Sequence, residues 1–338
     1  MFFISYLYYY LGSLRVISIF AYLTSLRKFF LKRKSIIDVI IIIYIFGIFI
    51  LNIFRLDILA SSFYIRLFWG YIFFYYYFKN IYINFNSIIF WFSILTVLEF
   101  ILVHLYPNLT EILWNYRTDE GYANLRDVNG IFTGAHSFGG NRTVSGVLLL
   151  SIHIYAVQNK LKYKLLSFVA FICSFSTTAF LLYLFYLLFR LPKALSIILI
   201  IASFYFLILL NEIYYRFSFE YVSFIFFEYK LDQINLAIDL LSNNLIYTFF
   251  GNMHTKTNSL EVNNFGLNFG DFLLLDFTVL FGISGIIFLV LFFFSKINKF
   301  NFFTLIILFL GTVHYHVIFS FPGQILTGYF LSRNKTNF

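Results

Sequence analysis

Leu165-Leu-Ser-Phe-Val-Ala-Phe-Ile-Cys-Ser-Phe-Ser-Thr-Thr-Ala-Phe-Leu-Leu-Tyr-Leu-Phe-Tyr-Leu-Leu-Phe-Arg190 is the stretch on which the fold turns. It is long and apolar enough to cross a bilayer, which takes about 20 such residues. Its flanks forbid a single crossing. Lys160, Lys162 and Lys164 precede it, and Arg190 and Lys193 close it. Short basic loops stay on the cytoplasmic side of a membrane, so both ends of the stretch belong on one side. The sequence therefore predicts a hairpin of two short helices, with Ser174-Phe-Ser-Thr-Thr178 at its outer turn.

The rest of the chain agrees with a bilayer as solvent. Of 338 residues, 61% are hydrophobic and 12% charged, where a soluble domain carries about 25% charged residues. That excludes soluble enzymes, nucleic-acid-binding modules and disordered chains. Cys173 is the only cysteine, so no internal disulfide or thiolate cluster can form. No A-x-A-like cleavage site follows the first apolar stretch, which is read as a retained span.

Apolar segments lie near 2–26, 36–54, 58–78, 81–105, 143–157, 165–190, 194–211, 271–294 and 301–331. Basic clusters occur at Arg27–Lys34, Lys79, Lys160–Lys164, Arg190–Lys193, Lys296–Lys299 and Arg333–Lys335. Placing them all in the cytoplasm puts the polar segments 106–142 and 212–270 outside. Parity then splits 301–331 into two helices meeting near His314-Tyr-His316. The first segment, interrupted by Arg15, is one span or a hairpin. The predicted fold is all-α: a polytopic membrane protein forming one domain over 1–338, with about ten or eleven transmembrane helices and two extracytoplasmic loops. In the larger loop Phe227, Leu231, Ile234, Ile238, Leu241 and Leu245 recur at helical spacing. They predict an amphipathic helix near 225–245 that lies on the membrane, lids a cavity or simply anchors the loop.

Arg117, Arg126, Arg142, Arg216, Lys230 and Lys256 fall on the outer side, against the positive-inside trend. Arginine's planar fork binds phosphate or carboxylate and keeps its charge when partly desolvated. Such a set suits an anionic, lipid-attached substrate such as a polyprenyl pyrophosphate. Arg66 and Glu99 fall within spans, roughly 10 Å from the outer end at 1.5 Å per residue; they are expected to pair across helices or to line an outward-facing cavity. His104, His136 and His153 read as interfacial polar residues. His314 and His316 cluster at a hairpin corner, where imidazole could act as a general base. No third ligand with zinc spacing accompanies them. P-loop, dinucleotide-binding, H-E-x-x-H and G-x-S-x-G motifs are missing.

Several residue runs together resemble the O-antigen polymerase (Wzy) family, which is similar to the O-antigen ligases. They are Arg126-Asp-Val-Asn-Gly130-Ile-Phe, Gly140-Asn-Arg142-Thr-Val-Ser-Gly146-Val-Leu-Leu-Leu, Ser174-Phe-Ser-Thr-Thr178, Tyr214-Tyr-Arg216-Phe, Phe249-Phe-Gly251-Asn, Gly270-Asp-Phe-Leu-Leu-Leu-Asp276, Gly282-Ile-Ser-Gly285 and His314-Tyr-His316. Where many relatives carry Ser-Arg in the short turn, this chain has Ser176-Thr177. Arg142 or Arg126 is expected to supply the missing cation.

The resemblance implies a glycosyltransferase that joins oligosaccharide repeat units on undecaprenyl pyrophosphate at the periplasmic face of the bacterial inner membrane. It implies no cofactor and no metal. Arg216, with Arg142 or Arg126, would hold the pyrophosphate; His316, or else His314, would take the acceptor's proton. Implied partners are the lipid-linked oligosaccharide, the bilayer, a chain-length regulator and a flippase, with no nucleic acid. An O-antigen ligase and a flippase or transporter for the lipid-linked unit remain the alternatives. Transporters tend to show related halves and midplane sites, whereas the polar groups here concentrate in two unequal outer loops.

Overall fold

A computed structural model describes residues 1–8, 15–53, 58–106, 134–198, 201–202, 229–242, 244–251 and 273–333. Among the described residues the fold is entirely helical. The helices are α1 (Phe2–Leu7), α2 (Arg15–Leu31), α3 (Ile36–Ile53), α4 (Ile58–Phe78) and α5 (Phe85–Leu105). A 3-10 turn at Ser137–Gly139 leads into α6 (Arg142–Gln158), α7 (Lys164–Cys173) and α8 (Thr177–Arg190). Then come α9 (Tyr229–Ser242), α10 (Leu245–Phe250), α11 (Leu273–Lys296), α12 (Phe302–His314) and α13 (Phe321–Leu331).

Two of these stretches, Phe85–Leu105 and Leu274–Lys296, are long and apolar enough to cross a membrane. The 165–190 segment is two helices, α7 and α8, broken at Ser174–Ser176. Residues 301–331 likewise split at Tyr315–Ser320 into α12 and α13. The leading segment is α1 followed by α2, on either side of residues 9–14. Phe2 packs on Phe78, Phe85 and Tyr329, while Tyr8 meets Phe321. So α1 climbs along α13 in the direction opposite to α2's descent.

Contacts between chain-distant basic clusters bring them to one end of the body. Lys32 Nζ donates to the Lys79 carbonyl (2.9 Å) and Lys296 pairs with Asp38 (2.8 Å). Arg333 Nη2 donates to the Ile81 carbonyl (2.8 Å), and the Lys162 amide to Asn86 Oδ1 (3.0 Å). Arg190 lies over the Phe303 ring. The opposite end carries the 3-10 turn, the α7–α8 turn and the α12–α13 corner.

Between the two ends, α13 packs along α4, and α6 lies against α7, α8 and α12. Buried Phe68, Phe277 and Phe319 interlock where α4, α11 and α13 meet: Phe277 stacks on Phe319 (5.6 Å) and Phe68 meets Phe319 edge-on (4.9 Å). Large apolar side chains also face outward, among them Phe30, Ile43, Leu105 and Phe294, each at least 65% exposed. Contiguous apolar surface of this kind marks a membrane or protein contact.

Candidate functional site

Glu99 organises the end away from the basic clusters. It sits one and a half turns from the end of α5 and is 8% exposed. Its Oε1 accepts the His136 and Ser137 amides, and its Oε2 the Ser137 amide, all at 3.1 Å. Three residues earlier, Thr96 Oγ1 lies 2.6 Å from Ser137 Oγ. Ser137 has φ +44°, a region a side chain rarely adopts. The carboxylate compensates by binding two buried N–H groups that would otherwise go unpaired. The Arg66 guanidinium lies over Tyr22, 5.5 Å from the ring centre.

The turn then sets the start of α6. Ser145 Oγ donates to the His136 carbonyl and accepts the Gly139 amide (2.9 Å). Asn141 caps the helix, its Oδ1 accepting the Val144 amide at 2.8 Å, one of the donors a helix start leaves open. Arg142 is therefore the first residue of α6, half-buried. His136 Nδ1 lies 3.2 Å from the Gly140 carbonyl; a ring nitrogen facing a carbonyl must carry the proton, which leaves Nε2 as the basic nitrogen in the neutral ring.

Two further chain reversals close on this helix start. A Cβ at Gly146 would meet Ser174 Oγ and Ser176 Cβ at 2.8 and 2.5 Å, so only glycine lets α6 approach the α7–α8 turn so closely. The Ala135 amide donates to the Cys173 carbonyl (2.8 Å), and Ser176 Oγ caps α8 through the Ala179 amide (3.2 Å). Phe175, at φ +44°, stacks on Phe100. On the other side, Gly311 of α12 abuts Val147 of α6. From that crossing α12 rises three residues to His314 and α6 rises five to Arg142, about 4.5 and 7.5 Å at 1.5 Å each. The two helix ends thus reach nearly the same level. His316 follows in the corner, where its carbonyl accepts the Ser320 amide (2.6 Å) and Ser320 Oγ caps α13 through Gly323 (3.1 Å).

Of the residues expected to carry chemistry, Arg142 and His316 come to the same end of the body, on neighbouring elements. His314 ends α12, and its side chain lies outside the described residues. So do Arg126, Arg216, Arg117 and Lys256. His136 and His153, expected at an interface, are instead buried. His153 is covered by α7, with Nδ1 at 3.1 and 3.2 Å from the Lys164 carbonyl and Ser167 Oγ. His104 is exposed on α5. Among the described residues no three His, Cys, Asp or Glu side chains gather in metal-holding geometry.

Two arrangements escaped the sequence reading. Gln324 is fully buried on α13: its Nε2 donates to the Arg66, Leu67 and Phe319 carbonyls (3.1, 2.6 and 2.9 Å), and its Oε1 accepts Tyr22 OH (2.5 Å). It joins α13 to α4 and α2 at the same end. Farther around, α11 is broken at Gly282 (φ +67°, ψ −171°). Into that break folds α10, with Gly251 against Leu280 and Phe281, and Ser284 Oγ donating to the Phe249 carbonyl (2.5 Å). Tyr44 OH donates to the Phe281 carbonyl (2.9 Å), which the break frees. The amphipathic helix runs over 229–242 as α9, and its protein-facing residues are Gln233, Ala237 and Leu241; Leu231, Ile238 and Leu245 point outward. The face packed on the body is thus formed by Gln233, Ala237 and Leu241, only the last of which belongs to the expected stripe.

These features define an all-helical protein with two helices long and apolar enough to cross a membrane and a polar seat opposite its basic end. No family model, curated protein or solved structure matches the chain.

Proposed function

We propose that the chain is a multi-pass membrane glycosyltransferase that polymerises undecaprenyl-pyrophosphate-linked oligosaccharide repeats into O-antigen or capsular polysaccharide. In this reading it has about ten or eleven spans, lies in a bacterial inner membrane, and works at the periplasmic face. The observation that carries the proposal is Arg142: a half-buried arginine opening a capped helix, at the end of the body opposite the basic clusters. A helix start presents open N–H groups and a partial positive charge, and the guanidinium adds a fork shaped for phosphate oxygens.

The reaction is a displacement at the anomeric carbon. An acceptor hydroxyl forms the new C–O bond while the bond to the pyrophosphate oxygen breaks. Arg142, with Arg216 or Arg126, offsets charge growing on the leaving group. His316, or else His314, takes the hydroxyl proton. Confinement of both lipid-linked substrates to one membrane plane supplies proximity.

The test is Arg142→Ala and Arg142→Lys in a strain lacking the wild-type gene, read as polysaccharide chain length. Ala should abolish long chains, and Lys should restore them only in part, since it keeps the charge and loses the fork. An unchanged ladder with Ala overturns the pyrophosphate role. Loss of the ladder with single repeats still attached to the lipid A core identifies a polymerase; loss of every attached repeat identifies a ligase.

A further inference from the structure

The basic end of the body holds more positive charge in one place than its own carboxylates balance. Tyr75 and Tyr76, in edge contact at 5.0 Å, form a floor there. Lys34 and Lys79 each lie 5.6 Å from the Tyr76 ring centre, and Lys79 and Lys296 lie 5.9 and 5.2 Å from that of Tyr75. Among the described residues Asp38 is the carboxylate at this floor: it pairs with Lys296 and accepts Tyr76 OH (2.6 Å) and the Ser35 amide (3.2 Å). Among the described residues the other ammonium groups here are hydrogen-bonded to carbonyls. Lys32 donates to Lys79 (2.9 Å), Lys79 to Arg33 (3.4 Å), and Lys34 to Phe29 and Lys32 (2.8 and 3.2 Å). Burial, and then the neighbouring Lys296 and Lys32 charges, lower the Lys79 pKa against the opposing pull of Asp38.

The surface beside this charge is apolar. Phe30, Leu31, Ile36 and Phe294 are 70%, 72%, 81% and 70% exposed on the adjoining ends of α2, α3 and α11. A small soluble anion has no use for such a wall, whereas an acyl chain does. We infer that the α2–α3 turn, the end of α4 and the end of α11 form a binding site for the phosphate diester headgroup of an anionic phospholipid, with its tails along Phe30, Ile36 and Phe294. This site rests on the membrane reading and is independent of glycosyl transfer. Cationic side chains at a membrane surface each favour anionic lipid by an amount equal to about a fivefold change in affinity.

The experiment titrates the full chain, in a neutral detergent, with dioleoyl phosphatidylglycerol, dioleoyl phosphatidylcholine or inorganic phosphate. Thermal unfolding midpoint and bound lipid by native mass spectrometry are the readouts. Phosphatidylglycerol alone should raise the midpoint. Lys32→Gln/Lys79→Gln, which keeps donors for the carbonyls, should weaken apparent affinity about 25-fold. Lys32→Arg/Lys79→Arg and, elsewhere on this end, Lys162→Gln/Lys193→Gln should stay within about twofold. Undiminished binding in the glutamine pair overturns the site, as does equal loss in the Lys162/Lys193 variant, which marks diffuse charge. An equal response to inorganic phosphate assigns the seat to a free anion and overturns the lipid. Recovery of the chain from cells without detergent overturns the membrane reading itself.

Discussion

Replacing Glu99 should open the turn it holds, and Cys173 reports the opening. Glu99→Ala leaves the His136 and Ser137 amides buried without an acceptor, at about 1–3 kcal/mol each. It also releases the constraint on Ser137's left-handed backbone, which returns part of that cost. A net loss of about 3 kcal/mol follows, a factor of roughly 150 in the opening equilibrium. Glu99→Gln keeps one oxygen, able to take both amides as Oε1 does, and should lose about half as much. Cys173, the chain's only cysteine, is buried and bound through its carbonyl to the Ala135 amide. Its labelling by a maleimide in detergent therefore follows opening of residues 134–141. The rate should rise about 150-fold in the Ala variant and about tenfold in the Gln variant. A Cys173 rate within twofold of wild type in Glu99→Ala, with the protein still folded, would refute the idea that the carboxylate secures the turn.

Gln324→Leu removes three donated bonds and one accepted bond from a fully buried site, and should cost about 2–4 kcal/mol. Gln324→Glu should cost more, because a carboxylate would face three carbonyl oxygens; thermal unfolding midpoints in one detergent will rank them. Gly282→Ala places a Cβ against the Phe249 backbone, at backbone angles essentially reserved for glycine. It should cost about 2 kcal/mol or more and speed amide exchange of α10 at least 30-fold by hydrogen-exchange mass spectrometry. Unchanged α10 exchange would show that α10 does not depend on the break.

Charge and parity made much of this legible in the sequence. Once Lys160–Lys164 and Arg190–Lys193 had to share a side, the break at Ser174–Ser176 followed, and the same step found the one after His314. Glu99 was legible as a charge out of place and illegible as to its partner. It binds backbone amides 37 and 38 positions away, and amides carry no residue-type signature. Gly251 and Gly282 stand out only as parts of the resemblance, since nothing local says that their backbones meet. The stripe on α9 gave a true helix over 229–242 but could not say which of its members meet protein: Leu241 is buried while Leu231 and Ile238 are exposed, because hydrophobicity reports what avoids water and not what covers it.

The shortness of the helices around the polar seat has a further consequence. α7, α8, α12 and α13 have 10, 14, 13 and 11 residues, about 15–21 Å at 1.5 Å per residue. The hydrocarbon layer is roughly 30 Å thick. On the proposed membrane reading, α7, α8 and α12, which reach the surface of the body, would draw the lipid inward around them by hydrophobic mismatch, while α13 is wholly buried behind them. The interface would then dip beside Arg142, bringing water nearer to the level of Glu99. On the proposed reading, a lipid-anchored pyrophosphate need not climb to reach a cation. The membrane surface descends to meet it, and the growing polymer departs from the floor of a shallow funnel.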